Sequence, residues 1–169
     1  MIRLYAQPYD ITATGFYFET SKEYSAKAEA LKNSSGAPVE EFEIQFIDGE
    51  TIDADLAKAW QINQANFPAF LEAAEDWDRD QKIRFIIAVG ECGHDHDEAA
   101  SDPASLDLMY YEFGTMRELA EYFVDEGLFG AEVPENLRCY LDYDAIARDL
   151  SVDYSEVEID GTNIIFHYF

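Results

Sequence analysis

Apolar and polar positions alternate from Ile2 to Ala6 and again from Thr14 to Glu19, where Phe16 and Phe18 share one face and Gly15 and Tyr17 the other, so two strands are predicted. Ser21 then stands as an N-cap before Tyr24, Ala28 and Leu31 at helical spacing, and Asn33 to Gly36 stop that helix. Phe42, Ile44 and Phe46 return to a period of two against Glu41, Glu43 and Gln45. Residues 1–52 therefore read as a β-β-α-β module. From Asp53 the period lengthens: Leu56, Ala59, Trp60 and Asn63 make one stripe, Phe67, Phe70, Leu71 and Ala74 a second after a break near Pro68, and Ile83, Ile86, Ile87 and Gly90 a third. Residues 53–104 read as a helical middle module, closed by the polar, turn-rich run 93–105.

The last module, 105–169, opens with a strand carrying Leu106, Leu108 and Tyr110. A helix follows, with Thr115 and Glu118 as a capping box, Met116, Leu119, Ala120 and Phe123 as its buried stripe, and Gly127 at its stop. Pro134 suits the first turn of another helix. Its stripe of Leu137, Tyr140 and Leu141 is out of phase with Tyr143, Ile146, Ala147 and Leu150, which predicts a break near Asp142 and a cap for a second piece. Val157 and Ile159 lead into Asp160-Gly161, a two-residue hairpin turn, and Ile164 to Phe169 return. The expected fold class is α+β, an elongated chain of three small modules ending in a β-hairpin.

Charge changes this picture more than any motif. The chain of 169 residues carries 36 Asp and Glu against 11 Lys and Arg, net −25, yet it is 48% hydrophobic and 15% aromatic. An aromatic-rich composition argues for a folded domain over an acidic disordered tail, and the charge makes nucleic acid and anionic membrane poor direct partners. Residues 1–84 hold 16 acids and 8 basic residues, net −8, whereas residues 85–169 hold 20 acids and only Arg117, Arg138 and Arg148, net −17. A helix surface that omits interleaved lysines gives up local stability to stay negative. Tyr5, Gln7, Pro8, Tyr9 and Asp10 stand where an apolar leader would, the longest apolar run is about Phe85 to Val89, and Cys92 and Cys139 lie far apart, so a cytoplasmic protein with free thiols is expected.

Candidate chemistry is sparse. Cys92, His94 and His96, with Asp95 and Asp97, form the one cluster resembling a metal site, but no second Cys or His pair faces it, and His167 and Cys139 are distant singletons. No calcium loop can start at Asp95 or Asp97, because neither register places Gly at position six and Glu at position twelve. A solvated loop is the expected state, with no metal and no cofactor. No nucleophile elbow, glycine-rich phosphate loop or Cys or Ser with a base partner is present, so an enzyme is not expected.

The acidic faces carry more. Glu118, Glu121 and Asp125 fall at i, i+3 and i+7, roughly opposite the Met116, Leu119 and Phe123 stripe, and Glu156, Glu158 and Asp160 alternate with Val157 and Ile159, about 6–7 Å apart along a strand. An ordinary solvated surface is the plain alternative, but a proteome-wide acidic bias would spread evenly over both halves.

Residues 122–150, YFVDEGLFGAEVPENLRCYLDYDAIARDL, resemble the signature stretch of the ArdA family of antirestriction proteins, most distinctively in DYDAIARDL from Asp142 to Leu150. Val89 to Glu91, the helix start at Thr115 and the terminal hairpin support the match, which is strong over 83–169 and weaker before that. His94 and His96 inherit no role from it. The resemblance implies a DNA mimic: an elongated homodimer, carried by mobile elements, whose carboxylates imitate phosphates and occupy the DNA-binding groove of type I restriction-modification enzymes. Two chains at −25 carry −50, about the charge of 25 base pairs of duplex. On this view the phosphate surrogates are Glu118, Glu121, Asp125, Glu126, Glu132, Glu135, Asp142, Asp144, Asp149, Glu156 and Glu158, while Tyr140, Leu141, Tyr143, Ile146 and Leu150 are core or dimer contacts. An acidic binding module for another basic DNA-binding protein or a toxin is the alternative.

Overall fold

The computed structural model describes residues 1–130 and 132–169, and Ala131 of the signature stretch lies outside the described residues. It is an α+β protein with two three-stranded antiparallel sheets, and it divides into two compact units, Met1–Leu106 and Asp107–Phe169.

In the first unit, β1 (Arg3–Pro8) is the central strand, flanked by β2 (Phe16–Phe18) and β3 (Phe42–Asp48), with Tyr5 opposite both Tyr17 and Gln45. The alternation in the sequence is the alternation of faces: Leu4, Ala6, Phe18, Phe42 and Ile44 are buried, while Tyr17 and Glu43 are exposed. Helix α1 (Ser21–Ala30) starts one residue earlier than its sequence cap implies. Thr20, not Ser21, is the N-cap, its side chain accepting from the Glu23 N–H.

Helix α2 (Thr51–Trp60) ends before Asn63, because Gln61 turns left-handed at φ 51°. Asn63 instead folds the connection, its Oδ1 accepting from the N–H groups of Ala65 and Asn66. Helix α3 (Phe67–Asp76) takes Pro68 into its first turn, where a missing N–H costs nothing. The third stripe divides into α4 (Arg79–Phe85), which opens with an Asp78/Gln81 capping box, and a π-helical segment, Ile86–Glu91. Sheet and helices share one aromatic core: Phe67 lies 4.7 Å from Tyr24 and 5.2 Å from Phe18, and Trp60 lies 4.8 Å from Phe85, ring centroid to ring centroid.

Run 93–105 is not an irregular loop. Asp95 accepts from the Glu98 N–H and starts α5 (His96–Ser101), and Pro103–Ser105 form a 3₁₀ turn. The sequence hid this helix because six residues are too few for an apolar stripe; Ala99 is its one buried residue.

In the second unit, β4 (Leu108–Tyr111) and β5 (Ser155–Ile159) flank β6 (Thr162–Tyr168). The hairpin turns at Asp160 (φ 55°) and Gly161 (φ 68°), the pair of positive φ values that a tight two-residue turn demands. Helix α6 (Met116–Asp125) and α8 (Tyr143–Leu150) pack together, with Met116, Leu119, Ala120, Phe123, Leu150 and Ile165 forming the core and Ile146, Ala147, Tyr111 and Tyr154 against it. Between them lies α7 (Glu135–Arg138), for which Pro134 serves as N-cap rather than as first helical residue. Among the described residues no helix is long and apolar enough to cross a membrane.

Candidate acidic interface

Helix α6 turns its acids outward because Met116, Leu119, Ala120 and Phe123 must face the core at helical spacing. The three carboxylates of that face have different duties. Thr115 accepts from the Glu118 N–H, and Glu118 Oε2 in turn accepts from the Gly114 N–H at 2.8 Å, one residue before the cap, so this carboxylate fastens the helix start. Glu121 Oε1 accepts from Arg117 Nε at 3.0 Å. Asp125 is paired with Arg138 of α7.

Arg117 reaches further. Its Nη1 donates to Asp144 Oδ1 at 2.7 Å, and its guanidinium carbon lies 5.8 Å from the Tyr143 ring centroid, joining α6 to the first turn of α8. Its pKa is raised above the ordinary value by the Asp144 bond first and the Glu121 bond next. Asp142 is the N-cap of α8, accepting from the Ala145 N–H at 3.0 Å. Glu156 Oε2 accepts from Asn163 Nδ2, which also donates to the Phe113 carbonyl.

The eleven carboxylates therefore divide. Glu118, Glu121, Asp125, Asp142, Asp144 and Glu156 hold partners within the second unit. Glu126, Glu132, Glu135, Asp149 and Glu158 are exposed and have no side-chain partner among the described residues. Two of the three arginines of the acidic half are committed to internal pairs, and Arg148 is exposed on α8. What remains toward solvent is a set of carboxylates with little cationic charge beside it.

The apolar residues of the signature stretch are placed as follows. Leu150 is buried, Ile146 packs on the core, Leu141 and Tyr143 are half-buried, and Tyr140 is 82% exposed. Leu128, Phe129 and Leu137 join Tyr140 as exposed apolar side chains between α6 and α8.

His96 departs from its expected solvated state. Its ring stands edge-on to Trp60 at 4.6 Å and to Phe85 at 5.4 Å, with Nδ1 3.1 Å from Asp97 Oδ1 and Nε2 buried without a partner among the described residues. Cys92 and Cys139 are exposed free thiols, and no cluster of three or more His, Cys, Asp or Glu able to hold a metal occurs among the described residues.

A helix-and-hairpin unit that presents exposed carboxylates without side-chain partners among the described residues defines an acidic surface. The family model described as "Antirestriction protein (ArdA)" matches residues 13–163, most of the chain, so the protein belongs to the ArdA family of antirestriction proteins, a family of inhibitors rather than enzymes. Among curated proteins none matches it.

Proposed function

We propose that this chain is a DNA mimic that, in the cytoplasm, occupies the DNA-binding groove of a type I restriction-modification enzyme. The observation that carries this reading is the set of Glu126, Glu132, Glu135, Asp149 and Glu158, exposed and without partner among the described residues, in a half-chain of 20 acids and three arginines. Groove lysines and arginines that neutralise phosphates would meet fixed carboxylates instead, and a folded protein spends no free energy on bending, as duplex DNA must. The partnered carboxylates add charge while their bonds hold the backbone that carries the others.

The same reading includes a homodimer, which doubles the charge and lengthens the surface. Leu128, Phe129, Leu137 and Tyr140 support it, since four exposed apolar side chains within thirteen residues suit a second copy better than water.

The test is competition. Added in stoichiometric amounts, the protein should displace DNA from a type I enzyme without binding DNA itself, with an affinity that falls steeply as salt rises, and light scattering should give twice the chain mass. Failure to compete on every type I enzyme tried would transfer the surface to some other basic DNA-binding partner.

A further inference from the structure

The first unit holds a cavity of about 560 Å³, a volume typical of small-molecule sites. Its lining comes from the start of β1, the entry to α1, the first turn of α2, the end of α3 and α4. The polar part is a buried ion pair: Lys82 Nζ donates to Asp53 Oδ1 at 2.7 Å, and each side chain is only 8% exposed. Neither the two remaining Lys82 N–H groups nor Asp53 Oδ2 has a partner among the described residues. A buried pair normally needs further hydrogen bonds to offset the loss of water around both charges. Lys82 and Asp53 both line the cavity.

We infer that this cavity binds a free basic amino acid, of the arginine or lysine type. Lys82 asks for an oxygen acceptor, best supplied by a carboxylate, and Asp53 Oδ2 asks for a donor, best supplied by an α-ammonium. Ile2, Leu71, Ala74 and Trp77 give an aliphatic stem an apolar wall. Glu19, Glu50 and Glu75 also line the cavity and are exposed, and they suit a second cation. Four lining carboxylates, Glu19, Glu50, Asp53 and Glu75, outnumber the cationic groups of Met1 and Lys82 and disfavour phosphates and other polyanions. The site lies in Met1–Leu106 and is independent of the antirestriction reading.

The experiment is titration of the full chain with L-arginine, agmatine, Nα-acetyl-L-arginine and L-glutamate, followed by calorimetry and by tryptophan fluorescence, since Trp77 lines the cavity. L-Arginine should bind saturably with one site per chain. Agmatine, which lacks the carboxylate for Lys82, and Nα-acetyl-L-arginine, which lacks the ammonium for Asp53, should each bind about tenfold more weakly, the worth of one charged hydrogen bond. The agmatine arm separates a built site from general attraction to a −25 chain. Agmatine has the greater net positive charge and would bind at least as well if attraction were all. The exposed substitutions Glu50→Gln and Glu75→Gln together should weaken arginine several-fold and leave glutamate without measurable binding. No saturable binding of arginine, equal or tighter binding of agmatine, or an unchanged affinity in the double variant overturns the assignment.

Discussion

Arg117 of α6 and Asp144 of α8 meet at 2.7 Å, 27 positions apart, in a half-chain where arginine is scarce. The same guanidinium holds Glu121, so one cation fixes two carboxylates on neighbouring helices. Replacing Arg117 by Ala frees both and adds one unit of negative charge. Because the pair is exposed and screened, the melting temperature should fall little. If the surface is read by a basic groove, R117A should compete with DNA at least as well as the parent, and best at low salt. A large loss of competition with the fold intact would mean that the target reads this fixed arrangement rather than charge.

The N-terminal unit has a local acid response. Asp10 accepts from the Thr12 hydroxyl, from Asn33 Nδ2 and from the Thr12 N–H, and these bonds, in that order, hold its carboxyl below the ordinary 3.8. A folded pKa below the unfolded one contributes stability above pH 3.8, lost as pH falls through the lowered folded value. Asp10→Asn should therefore be less stable than the parent at neutral pH, and the gap should close as the solution is taken well below pH 3.8. Urea midpoints of the two proteins at pH 7 and in strong acid measure it. A gap that persists unchanged into acid would detach the effect from this carboxylate.

His96 should contribute to stability, contrary to what a polar loop implies. It fills space against Trp60 and Phe85, so His96→Ala removes partly buried contacts and leaves a void beside two aromatic rings. Such a change costs about 1–2 kcal/mol, or roughly 2–8 °C in melting temperature for a domain of this size. Thermal melts followed by circular dichroism, with tryptophan emission as a second signal, check it. An unshifted melt would return α5 to the status of a solvated appendage.

What the sequence discloses depends on how far apart the deciding residues lie. The hairpin at Asp160-Gly161 was readable because both turn residues adopt positive φ, and the starts of α6 and α8 because Thr115 and Asp142 cap N–H groups three residues away. Each of those signals is local. The state of the carboxylates was not readable: Asp125 finds Arg138 thirteen positions on and Asp144 finds Arg117 27 positions back, pairings that exist only once the helices pack. Helix spacing placed Glu118, Glu121 and Asp125 on one outward face, yet could not tell the helix-start bond of Glu118 from the ion pairs of Glu121 and Asp125. The packing of His96 edge-on against Trp60 and Phe85 was hidden for the same reason, since its partners belong to α2 and α4.

That division of carboxylates decides which charge reversal tests the mimic. Changing Glu118, Glu121 and Asp125 to Lys would remove the bond to the Gly114 N–H and place new cations beside Arg117 and Arg138, mixing a folding effect with a binding one. Glu126, Glu135 and Asp149 have no such bonds among the described residues, and all three are exposed. Reversing these three to Lys changes the charge by about six units per chain and sets cations against a cationic groove, where like-charge contacts are strongly unfavourable. The triple variant should keep its circular dichroism spectrum and its mass in solution, lose most of its ability to displace DNA from a type I enzyme, and show a shallower dependence on salt. Each single reversal should cost only a part of that, since a distributed match has no dominant contact. A triple variant that displaces DNA as well as the parent would place the recognition surface elsewhere on the chain.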